Sequence, residues 1–359
     1  MKVLSVVGAR PQFVKLGPIS QAFTEAADVE HVIVHTGQHY DADMSDVFFR
    51  DLGIPAPDVH LGIGSGSHGA QTGGMLAALD TVLDEARPDW TLVYGDTNST
   101  LAAALSAVKL HLPVAHLEAG LRSFNRRMPE EHNRVLTDHA ADLLLAPTKS
   151  AMDHLADEGL APRSVLVGDV MTDVLLRTRD AVSDRAAELP EGLDPSAGYI
   201  VATIHRAENT DEEQRLRSIV DALANLSLPV VLVAHPRLRS RAASFGVELR
   251  RGALHCVGPL AYPAMVRTVL GAAGVVTDSG GLQKEAVILG VPCTTLRSET
   301  EWPETVEDGW NVLDPDLTLL GRAAARPRPP GDVPTPYGEG RAARDVLAAL
   351  RTHGTGTSS

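Results

Sequence analysis

Residues 275–292, VVTDSGGLQKEAVILGVP, are typical of a buried strand, a tight glycine turn and a following helix. Ser279, Gly280 and Gly281 lie at the predicted helix N-terminus, where backbone N–H groups and the helix dipole favour an anion. Glycine has no Cβ, so a phosphate can approach the backbone closely. Glu285 lies one turn later on the same face, within reach of a ribose diol. The stretch predicts a βα unit with a nucleotide or nucleotide-sugar site; the alternative is an ordinary N-cap followed by a solvated glutamate.

The same alternation of apolar, β-branched runs with helical patterns extends through most of the 359 residues. Such strands, separated by helices, indicate parallel sheets covered on both faces. The pattern pauses at ELPEGLDPSAG, residues 188–198, and then restarts. We therefore predict an α/β fold of two facing Rossmann-like domains with a cleft between them. The predicted domains are residues 1–172 and 173–337, and residues 338–359 form a helix that crosses back to the first domain, plus a frayed tail.

Polar residues follow five of the predicted strands at the point where each strand ends. They are Arg10, Asp96, Glu118, His205 and Ser279. Ligands of open α/β sheets bind at the carboxyl ends of the strands. Five polar strand ends together are a stronger signal of a ligand site than any one of them.

Composition limits the classes of partner. A net charge of −14 argues against a nucleic-acid or anionic-membrane surface, and no stretch reaches the length of a membrane span. The two cysteines, Cys256 and Cys293, lie in or beside apolar runs, which favours core packing in a reducing compartment. The first strand, MKVLSVVG, lacks the features of a signal peptide. We expect a cytoplasmic protein with no nucleic-acid or membrane partner.

Two further motifs supply candidate ligands and acids. GARPQFVK, residues 8–15, lacks the spacing of a Walker loop, but Arg10 and Lys15 can clamp phosphates. Asp96, Glu118, Glu130 and the adjacent Glu131 are candidate carboxylates; the alternative for Glu130 and Glu131 is that they are first-turn acids that complement a helix dipole. Carboxylates gathered in a cleft can provide both an acid and a base. His205 in TIHRAEN is a candidate general acid or phosphate donor.

Two other motifs do not support a cofactor or a metal. GSGSHG, residues 64–69, matches the dinucleotide fingerprint by letter, but the acids Asp84 and Glu85 lie inside a predicted helix. The histidines His31, His35 and His39 are too far apart along a strand for one ion, since two of them are separated by ~13 Å. We predict no bound cofactor and no metal.

Together these segments resemble the non-hydrolysing UDP-N-acetylglucosamine 2-epimerases. The matching segments, which cover residues 1–315 or so, are GARPQFVKLGP, HTGQHYD, GDTNSTLAAALSA, HLEAGLRS, MPEEHNRVLTDHAADLLLAPT, HRAEN and DSGGLQKEAVILGVPC with TEWPET. The resemblance implies a GT-B-like fold, a homodimer, and interconversion of UDP-GlcNAc and UDP-ManNAc.

The resemblance also implies roles for individual residues. Arg10 and Lys15 would contact the substrate phosphates and sugar. Asp96, Glu118 and Glu130 match the acid/base carboxylates, and His205 matches the catalytic histidine. Ser279, Gly280 and Gly281 would hold the diphosphate, and Glu285 the ribose hydroxyls.

The chain departs from the family at two places. The family's substrate-contacting arginine in TERPE is Trp302 here. The binding of UDP and the identity of the sugar therefore stay open. The segment YDADMSDVFF, residues 40–49, lacks the glutamines of members that a second UDP-GlcNAc activates. The sequence therefore does not predict activation by substrate.

Epimerisation at C2 of this sugar requires an unusual route, because no carbonyl acidifies the C2 proton. Loss of UDP would develop positive charge at C1, acidify C2–H and permit a 2-acetamidoglucal intermediate. A hydrolysing 2-epimerase that releases ManNAc and UDP shares nearly all of these residues. A GT-B glycosyltransferase would need an acceptor groove, and a non-catalytic nucleotide-sugar sensor would not need the acids. The sequence favours the epimerase.

Overall fold

The computed structural model describes residues 1–38, 54–307 and 309–354, with Arg10 described by its backbone alone. His39 and the segment 40–49 singled out above lie outside the described residues. The chain divides into two compact units, Met1–Val174 with Pro336–Ser359, and Leu175–Thr335. No helix in the described ranges is long and apolar enough to cross a membrane.

The first unit alternates strands and helices as the hydrophobic pattern predicts. Its strands are β1 Lys2–Val7, β2 Glu30–His35, β3 Val59–His60, β4 Trp90–Tyr94, β5 Val114–Leu117, β6 Leu143–Ala146 and β7 Ser164–Leu166. Its helices are α1 Arg10–Thr24, α2 His68–Ala86, α3 Asn98–Lys109, α4 Pro129–Ala140, α5 Lys149–Asp157, the start of α6 Val170–Val182, and the C-terminal α14 Ala342–His353, with a short 3₁₀ helix at Ala161–Arg163.

All the strand pairs of this unit are parallel, in the order β3-β2-β1-β4-β5-β6-β7. Alternate residues of each strand point to opposite faces, so the sheet has an apolar layer on each side. On β1, Val3 and Val7 join one core cluster, while Leu4 and Val6 join the other. Helices α1 and α14 cover the first face, and α2 and α3 cover the second.

The C-terminal helix is fixed to the first unit by capping and by a long-range hydrogen bond. The carboxylate of Asp173 accepts from the backbone N–H of Ala342 at 3.0 Å and of Ala343 at 2.9 Å. A buried carboxylate at this position complements the free donors and the dipole of the helix N-terminus. Near the other end of the helix, the indole of Trp90 donates to the carbonyl of Leu350 at 3.1 Å.

The second unit repeats this design. Its strands are β8 Ile200–Thr203, β9 Val230–Val233, β10 Leu254–Val257, β11 Gly274–Thr277, β12 Cys293–Thr295 and β13 Asn311–Leu313. Its helices, besides the end of α6, are α7 Ala207–Thr210, α8 Glu213–Ala224, α9 Pro236–Ser244, α10 Tyr262–Leu270, α11 Gly280–Ile288, α12 Pro303–Glu307 and α13 Leu320–Ala323, with a short 3₁₀ helix at Pro195–Ala197.

The strands of the second unit are also parallel, in the order β10-β9-β8-β11-β12-β13. Ile200 and Ala202 of β8 pack with α8 on one face, whereas Val201 belongs to the cluster on the other face. Both cysteines, Cys256 and Cys293, are buried free thiols in these two clusters.

Each sheet reverses its strand order once, between β1 and β4 in the first unit and between β8 and β11 in the second. At such a reversal, the chain segments leaving two neighbouring strands turn to opposite faces and open a crevice at the carboxyl edge. Arg10 and Asp96 follow the two strands of the first reversal, and His205 and Ser279 follow those of the second. The fold thus places predicted site residues at both reversal points.

Candidate active site

In the first unit, Lys15 and Glu118 form an ion pair at the carboxyl ends of β4 and β5. Lys15 comes from α1, and Glu118 directly follows β5. The pair packs against the backbone of Gly95, because a Cβ there would lie 3.1 Å from Glu118 Oε2 and 3.2 Å from Lys15 Nζ. Gly95 directly precedes Asp96, so three of the predicted site residues come together here. Burial opposes the charge on Lys15, but Glu118, and more weakly Asp96, raise its pKa overall.

Glu118 is held in a strained backbone conformation. Its φ of 73° lies in the left-handed region, which a non-glycine residue rarely adopts. Its backbone N–H donates to the carbonyl of Leu145, on the neighbouring strand, at 3.1 Å. Such strain costs roughly 1–3 kcal/mol and persists where the surroundings determine the conformation. The carboxylate therefore has a position that its own backbone preference would not choose.

Arg134 of α4 connects Asp96 to the same cluster. Its guanidinium is paired with Asp96 and, at 2.8 Å, with Glu131 Oε2. The amide of Asn133 donates to the backbone carbonyl of Asp96 at 2.9 Å, so α4 fixes both the side chain and the main chain of Asp96. Sequence reasoning missed Arg134, because nothing in the local pattern of α4 distinguishes it from a solvated arginine.

The two adjacent acids Glu130 and Glu131 have different environments. Glu131 is buried, and its carboxylate accepts from the N–H of Ser123 at 2.9 Å, from its hydroxyl at 2.8 Å and from the N–H of Phe124 at 2.9 Å. Burial favours the neutral acid, but these hydrogen bonds and Arg134 lower its pKa overall. Glu130 is exposed in the first turn of α4. Glu131 therefore braces the loop before α4, while Glu130 faces solvent.

Arg10 is the first residue of α1, after the turn that follows β1. The backbone N–H groups of Gly8 and Ala9 in that turn donate to the side chain of Gln12 at 2.8 and 3.0 Å. Gln12 also donates to the carbonyl of Tyr94 at 2.9 Å, which joins the turn to β4. The turn therefore uses two of its backbone donors internally, unlike a phosphate-binding loop.

In the second unit, Asp278 holds His205. Asp278 is fully buried, and Asp278 Oδ1 lies 3.0 Å from His205 Nδ1. The carboxylate also accepts from the backbone N–H of His205 at 3.1 Å, from that of Arg206 at 3.0 Å, and from the Asn209 amide at 3.1 Å. Burial alone would raise the pKa of Asp278, but His205 and these donors lower it. An ionised Asp278 fixes the proton on Nδ1 of His205, which leaves Nε2 for another partner.

The glycine turn at residues 279–281 has the predicted geometry. Ser279 is the N-cap of α11, and its hydroxyl accepts from the N–H of Leu282 at 3.3 Å. A Cβ on Gly280 would lie 2.8 Å from Glu301 Oε1, whereas one on Gly281 would have Ser279 Oγ, at 4.0 Å, as its nearest described neighbour. Among the described atoms, the only close neighbour at 280 is the tip of the exposed Glu301 side chain, which can shift, and no close neighbour explains the glycine at 281.

Glu285 and Trp302 complete the surroundings of α11. Glu285 Oε1 accepts a hydrogen bond of 3.1 Å from the Tyr262 hydroxyl, so its carboxylate is held by a neighbouring helix. Trp302, where the family motif has arginine, lies beneath the ammonium of Lys284, which is 4.2 Å from the ring centroid. This cation–π contact holds the positive charge of Lys284 next to Trp302, the position at which the family motif has arginine.

Several residues that organise the site had no clear signal in the sequence. Asp278 belongs to the quoted strand end, but the hydrogen bonds to His205 depend on pairing of β8 with β11. His235, which follows β9, has its ring centroid 5.8 Å from that of His205. The strand-end rule, applied to β9, would have identified His235 as a candidate.

The geometry offers little to a dinucleotide or a metal. A Cβ on any of the glycines 64, 66 and 69 would meet no described atom within 4 Å, so neither a tight turn nor close packing requires glycine there. Across the described ranges, no group of three or more His, Cys, Asp or Glu side chains is arranged to hold a metal ion.

Comparison with known proteins identifies the family. Residues 21–351 match the family model described as UDP-N-acetylglucosamine 2-epimerase. A UDP-2,3-diacetamido-2,3-dideoxy-D-glucuronate 2-epimerase of Pseudomonas aeruginosa is 50% identical over 87% of this chain and 88% of its own length. A solved UDP-GlcNAc 2-epimerase of Methanocaldococcus jannaschii, in complex with UDP-GlcNAc and UDP, is 38% identical, with a TM-score of 0.79 over 98% of this chain and 100% of that one.

The fold extends beyond these relatives. The galactosyltransferase WaaB shares it at 14% identity, with a TM-score of 0.60 over 98% of this chain and 99% of its own. The α/β fold class with two parallel sheets, of the GT-B-like type, is confirmed. The chain belongs to the UDP-N-acetylglucosamine 2-epimerase family.

Proposed function

We propose that the protein catalyses reversible C2 epimerisation of a UDP-activated 2-acetamido sugar, with UDP-GlcNAc and UDP-ManNAc as the substrate pair. One observation carries the proposal: Glu118, in a left-handed backbone conformation, is ion-paired with Lys15 directly beside Asp96. A strained carboxylate that is paired with a cation beside a strand-order reversal is typical of a group kept for chemistry rather than for stability.

The reaction proceeds by elimination and re-addition of UDP. The C1–O bond breaks, and the bonding electrons leave with the UDP oxygen. Positive charge at C1 acidifies C2–H, and a carboxylate removes that proton to leave a 2-acetamidoglucal. A second acid then protonates C2 on the opposite face, and UDP adds back at C1. The net change is inversion at C2, with no oxidant or reductant consumed.

The first unit supplies the proton-transfer groups in this proposal. Asp96, Glu118 and Glu130 are the acid/base candidates on the two faces of the sugar. Lys15 and Arg10, the first residue of α1, contact the phosphate and the sugar. Glu118 is paired with Lys15 and Asp96 with Arg134, and one of these two carboxylates accepts the C2 proton in this scheme.

The second unit binds the leaving group. The N–H groups at the start of α11, next to Ser279, Gly280 and Gly281, donate hydrogen bonds to the diphosphate, and Glu285 binds the ribose hydroxyls. His205, whose Nδ1–H is held by Asp278, donates from Nε2 to the departing phosphate oxygen when its ring carries a second proton there. Preorganised donors of this kind stabilise charge that develops in the transition state.

A second sugar is favoured by one observation, the 50% identity to the Pseudomonas aeruginosa enzyme named for UDP-2,3-diacetamido-2,3-dideoxy-D-glucuronate. That sugar differs from GlcNAc at C3 and C6 but has the same acetamido group at C2, so the same elimination applies. Trp302, which replaces the motif arginine, is where the two substrates would be distinguished.

The decisive experiment is incubation of the enzyme with UDP-GlcNAc alone in D2O, followed by proton NMR. UDP-ManNAc with deuterium at C2 is the expected product. Product without solvent deuterium eliminates the proton-transfer scheme. Free ManNAc and UDP identify a hydrolysing epimerase, and strict dependence on an added acceptor identifies a glycosyltransferase. A parallel incubation with the diacetamido-glucuronate nucleotide decides between the two sugars.

We also propose that the enzyme acts as a homodimer in the cytoplasm. The family resemblance supports the dimer, and two buried free thiols are compatible with a reducing compartment. Sedimentation equilibrium of the full chain at micromolar concentration measures the assembly; a monomer under those conditions contradicts the first part.

A further inference from the structure

A fully buried histidine that the proposed chemistry does not use lies between the two turns that carry Asp96 and Glu118. His116 belongs to β5, two residues before Glu118. Its Nε2 lies 2.7 Å from the carbonyl oxygen of Gly95, which precedes Asp96. Its Nδ1 lies 2.6 Å from Asp138 Oδ1. One ring therefore connects the end of β4 with helix α4.

Both partners of His116 are hydrogen-bond acceptors. A backbone carbonyl cannot donate. The second oxygen of Asp138 accepts from the Gly120 N–H at 3.1 Å and is paired with Arg122 Nη1 at 2.7 Å. With an acceptor on each side, hydrogen bonds at both contacts require a proton on each ring nitrogen.

The state of Asp138 agrees with this hydrogen-bond count. Burial would favour a neutral carboxyl, but His116 and Arg122 lower the pKa of Asp138 overall. Arg122 in turn is paired with Glu158 at 2.7 Å, so two positive and two negative groups alternate along the chain of contacts. A buried network of this kind persists because every member has a partner of opposite charge.

The network joins left-handed backbone positions on both of these turns. Gly95 has a φ of 63°, and Gly120, two residues after Glu118, has a φ of 82°. Glu118 itself is left-handed. His116 contacts the carbonyl of Gly95, and Asp138 accepts from the N–H of Gly120. The relative position of Asp96 and Glu118 thus depends on a bridge that spans both turns.

We propose that His116 and Asp138 are positioning residues that hold Asp96 and Glu118 in register for proton transfer through a doubly protonated imidazole ring. The inference rests on the proposed function, since it assigns a purpose to the register of two proton-transfer groups. Neither residue touches the substrate in this scheme.

Two substitutions separate the two halves of the bridge. The amide nitrogen of glutamine reaches the region of Nε2, so His116→Gln keeps a donor to Gly95 and loses the one to Asp138. The shorter His116→Asn keeps the donor to Asp138 and loses the bridge to Gly95. Neither residue spans both turns. We expect each to lower kcat by about tenfold or more while KM changes less than about threefold, since misplacement by ~1 Å costs roughly a hundredfold.

Asp142→Asn is the matched control. Asp142 accepts from the N–H of Val114 at 2.9 Å and therefore binds the same strand, but at its amino end. Its substitution is expected to leave kcat unchanged. Near-UV circular dichroism measures the folded fraction of each variant. Loss of activity only in proportion to the unfolded fraction, or an unchanged kcat in both His116 variants, overturns the proposal.

A spectroscopic readout tests the bridge without activity. In protein labelled with ¹⁵N-histidine at pH 8, an ordinary histidine with a pKa of about 6.5 is mostly neutral. We expect the His116 ring of the wild type to show protons on both nitrogens. Its signal is assigned by its loss from the spectrum of either His116 variant. A neutral His116 overturns the proposal. If the wild type epimerises no UDP-sugar, the proposed function is wrong. The ¹⁵N spectrum still tests the bridge in that case, because it does not depend on activity.

Discussion

The polar side chains that follow β4 and β5 in the first unit are carboxylates, whereas those that follow β8 and β11 in the second unit include hydrogen-bond donors. Glu118 and Asp96 are paired with Lys15 and Arg134. In the second unit the fully buried carboxylate of Asp278 directs its hydrogen bonds inward to His205 and the adjacent backbone. The same βα architecture thus presents charge-compensated acids in one case and an oriented imidazole with a glycine turn in the other.

This difference indicates a division of labour. Carboxylates can accept and return protons, which suits the sugar end of the substrate. Helix N–H groups and a histidine stabilise negative charge, which suits a diphosphate that leaves. The predictions below test whether chemistry and nucleotide binding separate along this line.

The largest expected effect is on Glu118. Glu118→Gln removes the base but keeps the size of the side chain, so we expect kcat to fall by about 10³-fold. The affinity for UDP, assigned to the second unit, is expected to change less than about threefold, which is 0.6–0.7 kcal/mol or so. Initial rates by proton NMR and calorimetric titration with UDP measure the two quantities. If Glu118→Gln keeps a tenth or more of the wild-type kcat, Glu118 is not a proton-transfer group.

The histidine of the second unit should have a smaller effect. His205→Asn keeps a donor near Nδ1 for Asp278 but has no group at the position of Nε2. We expect kcat to fall by about 10²-fold, the range of general acid catalysis. Initial rates measured over a range of substrate concentrations, from below KM to saturation, separate kcat from KM. An unchanged kcat with a raised KM would show that His205 only binds substrate.

The glycine turn should affect binding more than folding. A Cβ on Gly281 has 4.0 Å of clearance to Ser279 Oγ, so Gly281→Ala should fold normally. A phosphate at the turn would meet that Cβ, and we expect UDP to bind about tenfold more weakly, a loss of ~1.4 kcal/mol. Gly64→Ala, at an open position, is the control. Unchanged UDP affinity in Gly281→Ala argues against a diphosphate at this turn.

The smallest effect expected is on stability in acid, and it should involve both units. Asp138 and Asp278 are fully buried, and their folded pKa values lie below the ordinary 3.8. Their contribution to stability is therefore present above about pH 4 and is lost as the pH falls through the lower folded pKa, by at most about 1.4 kcal/mol per pH unit for each group.

Urea unfolding between pH 3 and 7 measures this loss. In Asp278→Asn, the decline should be shallower, because one titrating group is absent. A wild-type decline that begins above pH 6 would point to histidines rather than to these carboxylates.

Much of the fold follows from local pattern. Apolar β-branched runs of four to six residues between amphipathic segments predicted the parallel strands, because a strand buried on both faces has no polar side. The glycine turn at 279–281 was predictable since Ser279 caps α11 with its own side chain. The acids in the first turn of α4 were also visible in the sequence.

The roles of individual acids were less accessible. Both Glu130 and Glu131 suit the first turn of a helix, and only the folded loop shows that Glu131 is taken by Ser123 and Phe124. The outcome depends on where a neighbouring loop passes, which no local propensity encodes.

The amino-acid sequence by itself determined the alternation of strands and helices, the polar residues at strand ends and the family to which the chain belongs. Tertiary structure alone decided which of those residues meet: Lys15 with Glu118, Arg134 with Asp96, and His116 with both Gly95 and Asp138. The physical reason is range. Propensity and periodicity act over a few neighbouring residues, whereas these pairs are 21 to 103 residues apart and form only once the strand order brings their turns together.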